Sequence, residues 1–235
     1  MSDLQTNLPP SPLNLQGKKG LILGIANDHS IAWGCARAAH ELGADIVATC
    51  LNDKARTYVE PLTKPLGIHL VNCDVENPQA LSELVETAIG HLGHLDFVIH
   101  SIAWAPLEDL HAKLVDTSSA GFSRAMEVSC HSFASLAKLC APHMPQGGSL
   151  ITMSYLGANE VVPHYGLMGP VKAALESLVR YMAMELGPQG LRVHAVSPGP
   201  IRTRAASGIE SFETLIEENI KRSPLGRLEI GRAHV

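Results

Sequence analysis

The chain has 235 residues, of which 46% are apolar and 17% charged, and its formal net charge is −5. This composition is typical of a globular enzyme and excludes a disordered chain. A nucleic-acid partner is excluded because the chain has no basic run. A membrane span is excluded because no apolar run approaches the roughly 20 residues that one needs, and we expect no membrane partner.

The chain begins with residues that predict a flexible tail over 1–14, because they are polar, contain prolines and lack the basic and apolar regions of a signal peptide. Five cysteines without a CxxC pair indicate free thiols in a reducing compartment, so we expect a cytoplasmic protein.

Short apolar runs then alternate with longer amphipathic segments, which indicates repeated β-α units. The predicted strands are 20–24, 45–50, 69–73, 95–101, 149–154 and 191–197. The predicted helices are 31–42, 54–65, 78–91, 122–141 and 171–184. The strands are nearly continuous apolar runs, as in parallel strands that are buried on both faces. Left-handed glycines are expected after four helical stretches, at Gly43, Gly67, Gly93 and Gly187.

This alternation predicts an α/β fold, with one Rossmann-like, doubly wound parallel sheet over residues 15–228. Ligands of such sheets bind at the carboxyl ends of the strands, and the first strand ends at Gly24. A glycine there lets the backbone approach a pyrophosphate, and the next helix offers free N–H groups to it. The GxGxxG pattern is absent because Ala26 and His29 replace its later glycines, so a plain strand–helix connection is an equal alternative for this loop alone.

Two further strand ends favour a nucleotide crevice. Asp74, after the third strand, has a carboxylate that can accept a hydrogen bond from an adenine amino group, and small residues follow His100 in the fourth. Each alone is compatible with a helix cap or a tight turn. No arginine stands at the turn after the second strand, although Lys54 and Arg56 follow closely, so NADH is favoured and NADPH stays open.

Tyr165 and Lys172 form the candidate catalytic pair. They are seven residues apart, or two helical turns, which predicts that they project from nearly the same helical face. The tyrosine hydroxyl can then donate to a developing oxyanion and the lysine ammonium can bind a cofactor ribose. The alternative is an exposed lysine beside a half-buried tyrosine. Pro170 is expected to bend or loosen this helix.

The pattern Tyr155-x9-Tyr165-x6-Lys172 resembles the enoyl-acyl-carrier-protein reductases of type II fatty-acid synthesis, in the short-chain dehydrogenase/reductase superfamily. Most of that superfamily has Tyr-x3-Lys, a spacing that fails here because position 169 is Gly169. Further matching motifs are Ser30-Ile31-Ala32-x-Gly34, Cys73-Asp74-Val75, His100-Ser101-Ile102, Ser154-Tyr155-Leu156-Gly157-Ala158 and Gly199-Pro200-Ile201-Arg202-Thr203.

The resemblance implies hydride transfer from NADH to the β-carbon of a trans-2-enoyl thioester on an acyl carrier protein, during fatty-acid elongation. It implies that Tyr165 stabilises the enolate, that Lys172 holds the nicotinamide ribose and that Tyr155 lines the acyl site. It also implies a homo-tetramer. The implied cofactor-binding residues are Gly24, Ser30, Ile31, Leu51, Asp74, Val75, Ile102, Lys172, Ile201, Arg202 and Thr203. The implied substrate-binding residues are Ala105, Tyr155 and Tyr165.

The chain departs from the family at three places. Leu51 stands where glutamine is frequent, which bears on adenosine contacts, and Ala103-Trp104 replaces Gly-Phe, which should alter the nicotinamide-side pocket. The family's last parallel strand is missing, so we expect a truncated chain in which 229–235 is a non-native tail; an ordinary polar tail is the alternative.

Residues 205–221 predict a helix pair that covers the substrate, with a surface hairpin as the alternative. Basic residues around this pair are candidates for contact with an acidic carrier protein, although solvated surface charge is the default: Arg202, Arg204, Lys221 and Arg222. No metal site is expected, because HExxH is absent and His91 and His94 lie on a polar helix end. Two other functions stay open, namely another short-chain reductase acting on a 3-oxoacyl group or a ketone, and a non-catalytic dinucleotide-binding protein.

Overall fold

Strands and helices alternate along the chain, as the sequence predicted. The computed structural model describes residues 14–203 and 212–227. The strands are β1 (Lys19–Leu23), β2 (Asp45–Cys50), β3 (His69–Asn72), β4 (Phe97–His100), β5 (Gly148–Met153) and β6 (Leu191–Val196). The helices are α1 (Ile31–Glu41), α2 (Asp53–Thr63), α3 (Pro78–Leu92), α4 (Leu107–His111), α5 (Ser119–Met126), α6 (Ser132–Cys140), α7 (Met168–Leu186) and α8 (Phe212–Arg222).

All six strands are parallel and lie in one sheet in the order β3-β2-β1-β4-β5-β6. Leu21 of the central strand β1 is in register with Val47 of β2 on one side and Val98 of β4 on the other. The strand order reverses between β1 and β4. This is the doubly wound, Rossmann-like sheet that was predicted, and its ligand crevice is expected at that reversal.

Helices cover both faces of the sheet, and the alternation of side chains along β1 separates two cores. Leu21 and Leu23 are fully buried in a cluster that contains residues of α3, α6 and α7. Ile22, between them, is fully buried in the second cluster with Trp33 of α1 and Val59 of α2. The expectation of burial on both faces is wrong for β6, an edge strand of the described sheet, where every second residue from Leu191 to His194 is exposed.

The predicted left-handed glycines are confirmed at Gly43, Gly67 and Gly93, whose φ angles are 93°, 68° and 84°. The fourth prediction is wrong. Gly187 has a helical φ of −53°, because α7 runs on into a short 3₁₀ turn, and the left-handed conformation falls on Gly190, with φ of 77°, directly before β6.

The predicted helix over 122–141 is interrupted. A π-helical turn over Glu127–His131 separates α5 from α6, and its wider winding adds a residue to the turn. Val128, Ser129 and Cys130 of this turn are buried.

Some predicted features lie outside the described residues. These are residues 1–13 of the expected tail, residues 228–235, Arg204 and the first part of the expected helix pair. Helix α8 is the described part of that pair. Within the described part of the chain, no helix combines the length and apolar character needed to cross a membrane.

Candidate active site

The loop after β1 packs closely against the end of β4. Gly24 has φ of 102°, and a Cβ atom at this position would clash with the carbonyl oxygen of Ser101. Its N–H donates to the Oγ1 atom of Thr49, 3.2 Å away. Glycine is therefore required at this position by both its conformation and its neighbour. The close approach brings the loop against Ile102 at the reversal of strand order.

Ser30 shapes this loop and does not cap the helix that follows. Its Oγ atom accepts hydrogen bonds from the N–H groups of Ala26 (2.9 Å) and Asn27 (3.0 Å). Ser30 is the residue before α1, yet no side chain caps α1 and its first turn has no acidic residue. The backbone N–H groups that begin at Ile31 therefore have no side-chain acceptor in the described chain.

The helices α2, α3 and α5 differ from α1, because a side chain caps the N-terminus of each. Asn52, Asn77 and Ser118 each accept a hydrogen bond from a first-turn N–H of α2, α3 and α5. Uncapped N–H groups and the positive end of the helix dipole suit a bound anion. The start of α1 therefore fits the pyrophosphate of a dinucleotide.

The ends of β2 and β3 carry the predicted adenosine contacts. Leu51 is 55% exposed after β2, and Val75 is buried after β3. The Oδ1 atom of Asp74 accepts from the N–H of Glu76, 3.0 Å away, so this carboxylate also forms the local turn that its sequence allowed. Its predicted contact with adenine is not tested by these distances and stays a prediction.

Arg56 is engaged within the protein, which bears on the choice of cofactor. Its Nε atom donates to Oδ1 of Asn72 and its Nη2 atom to the carbonyl of Leu70, both at 3.0 Å. A guanidinium that was free near the end of β2 would favour a 2′-phosphate. Arg56 is instead used to join α2 to β3.

Tyr165 and Lys172 are both buried, but their arrangement differs from the predicted one. Helix α7 begins at Met168, so Tyr165 precedes the helix and the two do not share a helical face. Tyr165 lies in a turn whose neighbours have left-handed backbones, His164 with φ of 62° and Gly166 with φ of 41°. A non-glycine residue in this region is uncommon and costs energy, and such residues cluster at functional sites.

The ring of Tyr165 packs against Tyr155 and against the backbone of Gly157. The two ring centroids are 4.8 Å apart, and the planes are inclined by 55°. A Cβ atom at Gly157 would clash with the Tyr165 ring. Burial, followed by the nearby Tyr155, raises the pKa of Tyr165, so its hydroxyl stays a hydrogen-bond donor at neutral pH.

Lys172 lies in the first turns of α7 and points into the protein. Its Nζ atom donates to the carbonyl of Met153 at the end of β5, 2.7 Å away. Burial of the ammonium lowers the pKa of Lys172 to about 8. Pro170 is the third residue of α7, where the missing N–H would have no intrahelical partner, so the physical reason for a bend at this proline does not apply.

Two residues that sequence reasoning missed support this region. Glu176, one turn after Lys172, accepts from Ser154 Oγ (2.5 Å) and Asn159 Nδ2 (3.1 Å), and so holds both ends of the segment that carries Tyr155. Glu176 follows Lys172 by four residues, a spacing from which the sequence could have predicted that the two lie on the same face of the helix.

His100 is the second missed residue, although it belongs to a motif that was noted. It is fully buried at the end of β4, with ring nitrogens 3.1 Å from Thr152 Oγ1 and 2.8 Å from Ser132 Oγ. Burial, and then the charge of Lys172, lowers the pKa of His100 to about 3, so the ring is neutral. It joins β4, β5 and α6 beneath the crevice.

The predicted nicotinamide-side and acyl-side residues fall on two other segments. Ala105, after β4, is buried in the same cluster as Tyr165. Ile201 accepts from the N–H of Thr203 at 2.9 Å in the loop after β6. Arg202 donates to both carboxylate oxygens of Glu213 in α8, at 3.2 and 2.8 Å, so this member of the expected basic surface is paired within the chain.

No group of three or more His, Cys, Asp or Glu side chains is placed to hold a metal ion among the described residues. The candidate site comprises the uncapped N–H groups at the start of α1, the buried Tyr165 and Lys172, and the half-buried Tyr155.

Comparisons with known proteins agree with this fold. A family model described as "Enoyl-(Acyl carrier protein) reductase" matches residues 24–234. Enoyl-(acyl-carrier-protein) reductase (NADH) 1 of Rhizobium meliloti (strain 1021) is 42% identical over 214 residues, which are 91% of this chain and 79% of that protein.

Two solved structures are similar over the same part of the chain. The crystal structure of enoyl-(acyl-carrier-protein) reductase (NADH) from Aquifex aeolicus VF5 has a TM-score of 0.87 and 40% identity, and covers 91% of this chain and 84% of that one. The reductase from Anaplasma phagocytophilum in complex with NAD has a TM-score of 0.86 and 43% identity, and the match covers 91% of this chain and 82% of that one.

Proposed function

This chain belongs to the enoyl-(acyl carrier protein) reductase family, and we propose that Tyr165, Lys172 and Tyr155 carry out its reaction. The reaction reduces the C2=C3 double bond of a trans-2-enoyl-acyl-carrier-protein thioester with NADH, in fatty-acid synthesis. The observation that carries the assignment is the burial of Tyr165 against Tyr155 at the carboxyl end of β5, where Lys172 is also bonded.

The cofactor would be held by the residues along the carboxyl edge of the sheet. The uncapped N–H groups at Ile31 suit the pyrophosphate, and Gly24 with Ser30 shapes the loop beside it. Leu51, Asp74 and Val75 would face adenosine. Ile102 would face the middle of the cofactor, and the segment Ile201, Arg202 and Thr203 would close over the nicotinamide side.

NADH is favoured over NADPH by the bonding of Arg56 to Asn72 and Leu70, which leaves this guanidinium committed within the protein. When bound, the cofactor supplies the hydride that reaches the β-carbon of the substrate. The protein contributes position and electrostatic field around the thioester.

Tyr165 would donate a hydrogen bond to the thioester oxygen, on which negative charge develops as the enolate forms. One preorganised donor of this kind contributes roughly 3 kcal/mol to the transition state. Its raised pKa keeps the proton on the hydroxyl, so Tyr165 stabilises the charge without giving up its proton. Tyr155 and Ala105 would line the acyl side. The α-carbon then takes its proton from solvent or from a relay.

Lys172 would hold the nicotinamide ribose and place positive charge behind Tyr165. The protonated ammonium is already bonded to Met153, which orients it towards the end of β5. Because the side chain is buried, its charge is poorly screened by solvent and acts strongly on groups nearby.

The test is NADH oxidation by folded protein with a trans-2-enoyl thioester, compared with a 3-oxoacyl thioester. Turnover confined to the enoyl substrate supports the proposal. Turnover with the 3-oxoacyl substrate alone identifies another short-chain reductase. Cofactor binding without turnover of either substrate identifies a non-catalytic dinucleotide-binding protein. NADPH in the same assay measures the cofactor preference.

We also propose a homo-tetramer that acts on an acyl carrier protein in the cytoplasm, with residues 15–228 as one reductase domain. Tyr181 and Met184 on α7 are 68% and 81% exposed, which suits helix packing between subunits. The free thiols at the five cysteines suit a reducing compartment. Light scattering on the wild type and Met184→Glu tests the assembly, limited proteolysis tests the domain, and cell fractionation tests the location.

A further inference from the structure

Trp104 lies in the loop between β4 and α4, directly before Ala105 of the proposed acyl site, and is 38% exposed. Its backbone is held from the protein interior. Trp104 N–H donates to Ser129 Oγ, and the same hydroxyl donates to the carbonyl of Trp104, both at 2.8 Å. Ser129 is fully buried in the π-helical turn, which makes this a rigid anchor.

The indole of Trp104 is held from the outside by Arg124. The Cζ atom of this α5 residue lies 4.3 Å from the ring centroid, within the range of a cation–π contact. Both the backbone and the side chain of Trp104 are thus restrained, by two residues of the same α5–π-turn segment.

Arg124 is in turn fixed by the segment that follows β3. Its Nε and Nη2 atoms donate to the two carboxylate oxygens of Glu76, at 2.6 and 2.8 Å. This bidentate pairing orients the guanidinium plane, which a single contact would leave free to turn. The bonding also lowers the pKa of Glu76. Glu76 N–H donates to Asp74 Oδ1 at 3.0 Å, so the connection continues to the proposed adenine contact.

We infer that Arg124 is a positioning residue that couples the cofactor segment Asp74–Val75–Glu76 to Trp104, the residue next to Ala105 of the proposed acyl site. The inference rests on the proposed function for the location of the cofactor and the acyl chain. Binding of the dinucleotide beside Asp74 restrains Glu76, and through Arg124 it restrains the indole. Cofactor binding then improves the affinity for the thioester, and the thioester improves the affinity for cofactor by the same factor.

Tryptophan fluorescence reads this coupling directly. The chain has two tryptophans, and the second, Trp33, is buried in the core on the other face of the sheet. The difference between wild type and Trp104→Phe therefore assigns the signal of Trp104. We expect NAD⁺ to reduce acrylamide quenching of Trp104 in the wild type, and expect Arg124→Gln and Glu76→Gln to lose most of that response.

Steady-state kinetics provides the second readout. Arg124→Gln and Glu76→Gln should raise KM for the enoyl thioester by about three- to tenfold, with kcat within about twofold of wild type. The matched control is Arg37→Gln, which removes another surface Arg–Glu pair, on α1, with Glu41. It should behave like the wild type in both measurements.

The coupling is overturned if NAD⁺ leaves Trp104 quenching unchanged in the wild type. It is also overturned if both Arg124→Gln and Glu76→Gln retain the wild-type response and KM. Absence of enoyl turnover in the wild type would instead refute the proposed function, and the fluorescence response would still decide whether the cofactor segment and Trp104 are coupled.

Discussion

The rings of Tyr155 and Tyr165 meet at a centroid distance of 4.8 Å, although they are ten positions apart in the chain and neither lies on a regular helix or strand. Gly157 provides the space for this contact, and Glu176 holds the segment that carries Tyr155. Tyr165 is nearly fully buried, whereas Tyr155 is half-buried. This difference in burial is the reason for proposing that Tyr165 makes the central hydrogen bond and that Tyr155 lines the site.

Tyr165→Phe should lower kcat for the enoyl thioester about 100- to 1,000-fold, because one preorganised donor to the developing oxyanion is lost. The dissociation constant for NADH should stay within about threefold, since the ring and its packing remain. Stopped-flow reduction and a fluorescence titration of NADH measure the two quantities.

Tyr155→Phe serves as the matched comparison, because it removes a hydroxyl from the other ring of the same pair. Its main effect should be on KM. Equal losses of kcat in both variants would contradict the division of roles, and full turnover by Tyr165→Phe would remove Tyr165 from the mechanism.

Gly157→Ala should reduce turnover by displacing the Tyr165 ring, since the added Cβ atom would occupy space that the ring now fills. Overpacking of this kind also costs about 1–3 kcal/mol of stability. Gly187→Ala is the control, because Gly187 has a helical φ and no heavy atom within 4 Å of an added Cβ. We expect unchanged kcat and equal or higher thermal stability for the control, measured by steady-state kinetics and calorimetry.

Lys172 should give NADH affinity a dependence on pH with a midpoint near 8, the lowered pKa of its ammonium. Affinity falls as pH rises through 8, because the proton that makes the side chain a cation is lost. Isothermal titration with NADH between pH 6.5 and 9.5 measures this. Lys172→Met should bind NADH more weakly throughout and show no midpoint.

The same lysine should affect stability in the opposite direction. Its pKa is about 8 when folded and 10.5 at its ordinary value, so the unfolded chain holds more protons between these values. The free energy of unfolding without cofactor therefore rises with pH across that window, by up to about 3 kcal/mol from this group. Urea titrations at each pH distinguish weaker NADH binding from loss of folded protein. A fall in NADH affinity that merely followed loss of folded protein would contradict the role of Lys172 in binding.

His100 should make the protein sensitive to acid. Its pKa is about 3 when folded and 6.5 at its ordinary value, so the unfolded chain holds more protons between pH 3 and 6.5. The stability that the neutral ring of His100 contributes is complete above pH 6.5 and is lost as pH falls towards 3. About 2 kcal/mol of it is lost by pH 5.

His100→Asn should be less stable than wild type at pH 7 but lose less stability between pH 7 and pH 5, as measured by urea titration at each pH. His143→Asn provides a comparison at a histidine that is not buried. An unchanged pH slope in His100→Asn would show that other groups cause the acid sensitivity.

The order of strands and helices could be predicted from the sequence because apolar periodicity is a local property. The bounds of β2 agree with the prediction, and those of most other elements differ by one to three residues. Gly24 and the pair Tyr165 and Lys172 were also selected as candidates from local motifs and spacing. These residues depend on short stretches of chain in which side-chain type and backbone conformation are closely linked.

The arrangement of the site was decided by the tertiary structure. Helical spacing placed Tyr165 and Lys172 on one face, but left-handed residues around Tyr165 delay α7 until Met168, and the tyrosine is held by packing against Tyr155. The π-helical turn that buries Ser129 has no periodic signal in the sequence.

The connection from Glu76 through Arg124 to Trp104 joins residues 48 and 20 positions apart in the chain. Each of these side chains by itself is compatible with an exposed surface. Only the folding of α5 against the ends of β3 and β4 brings them within bonding distance, because contacts between distant residues depend on how the layers pack and not on the properties of any one segment.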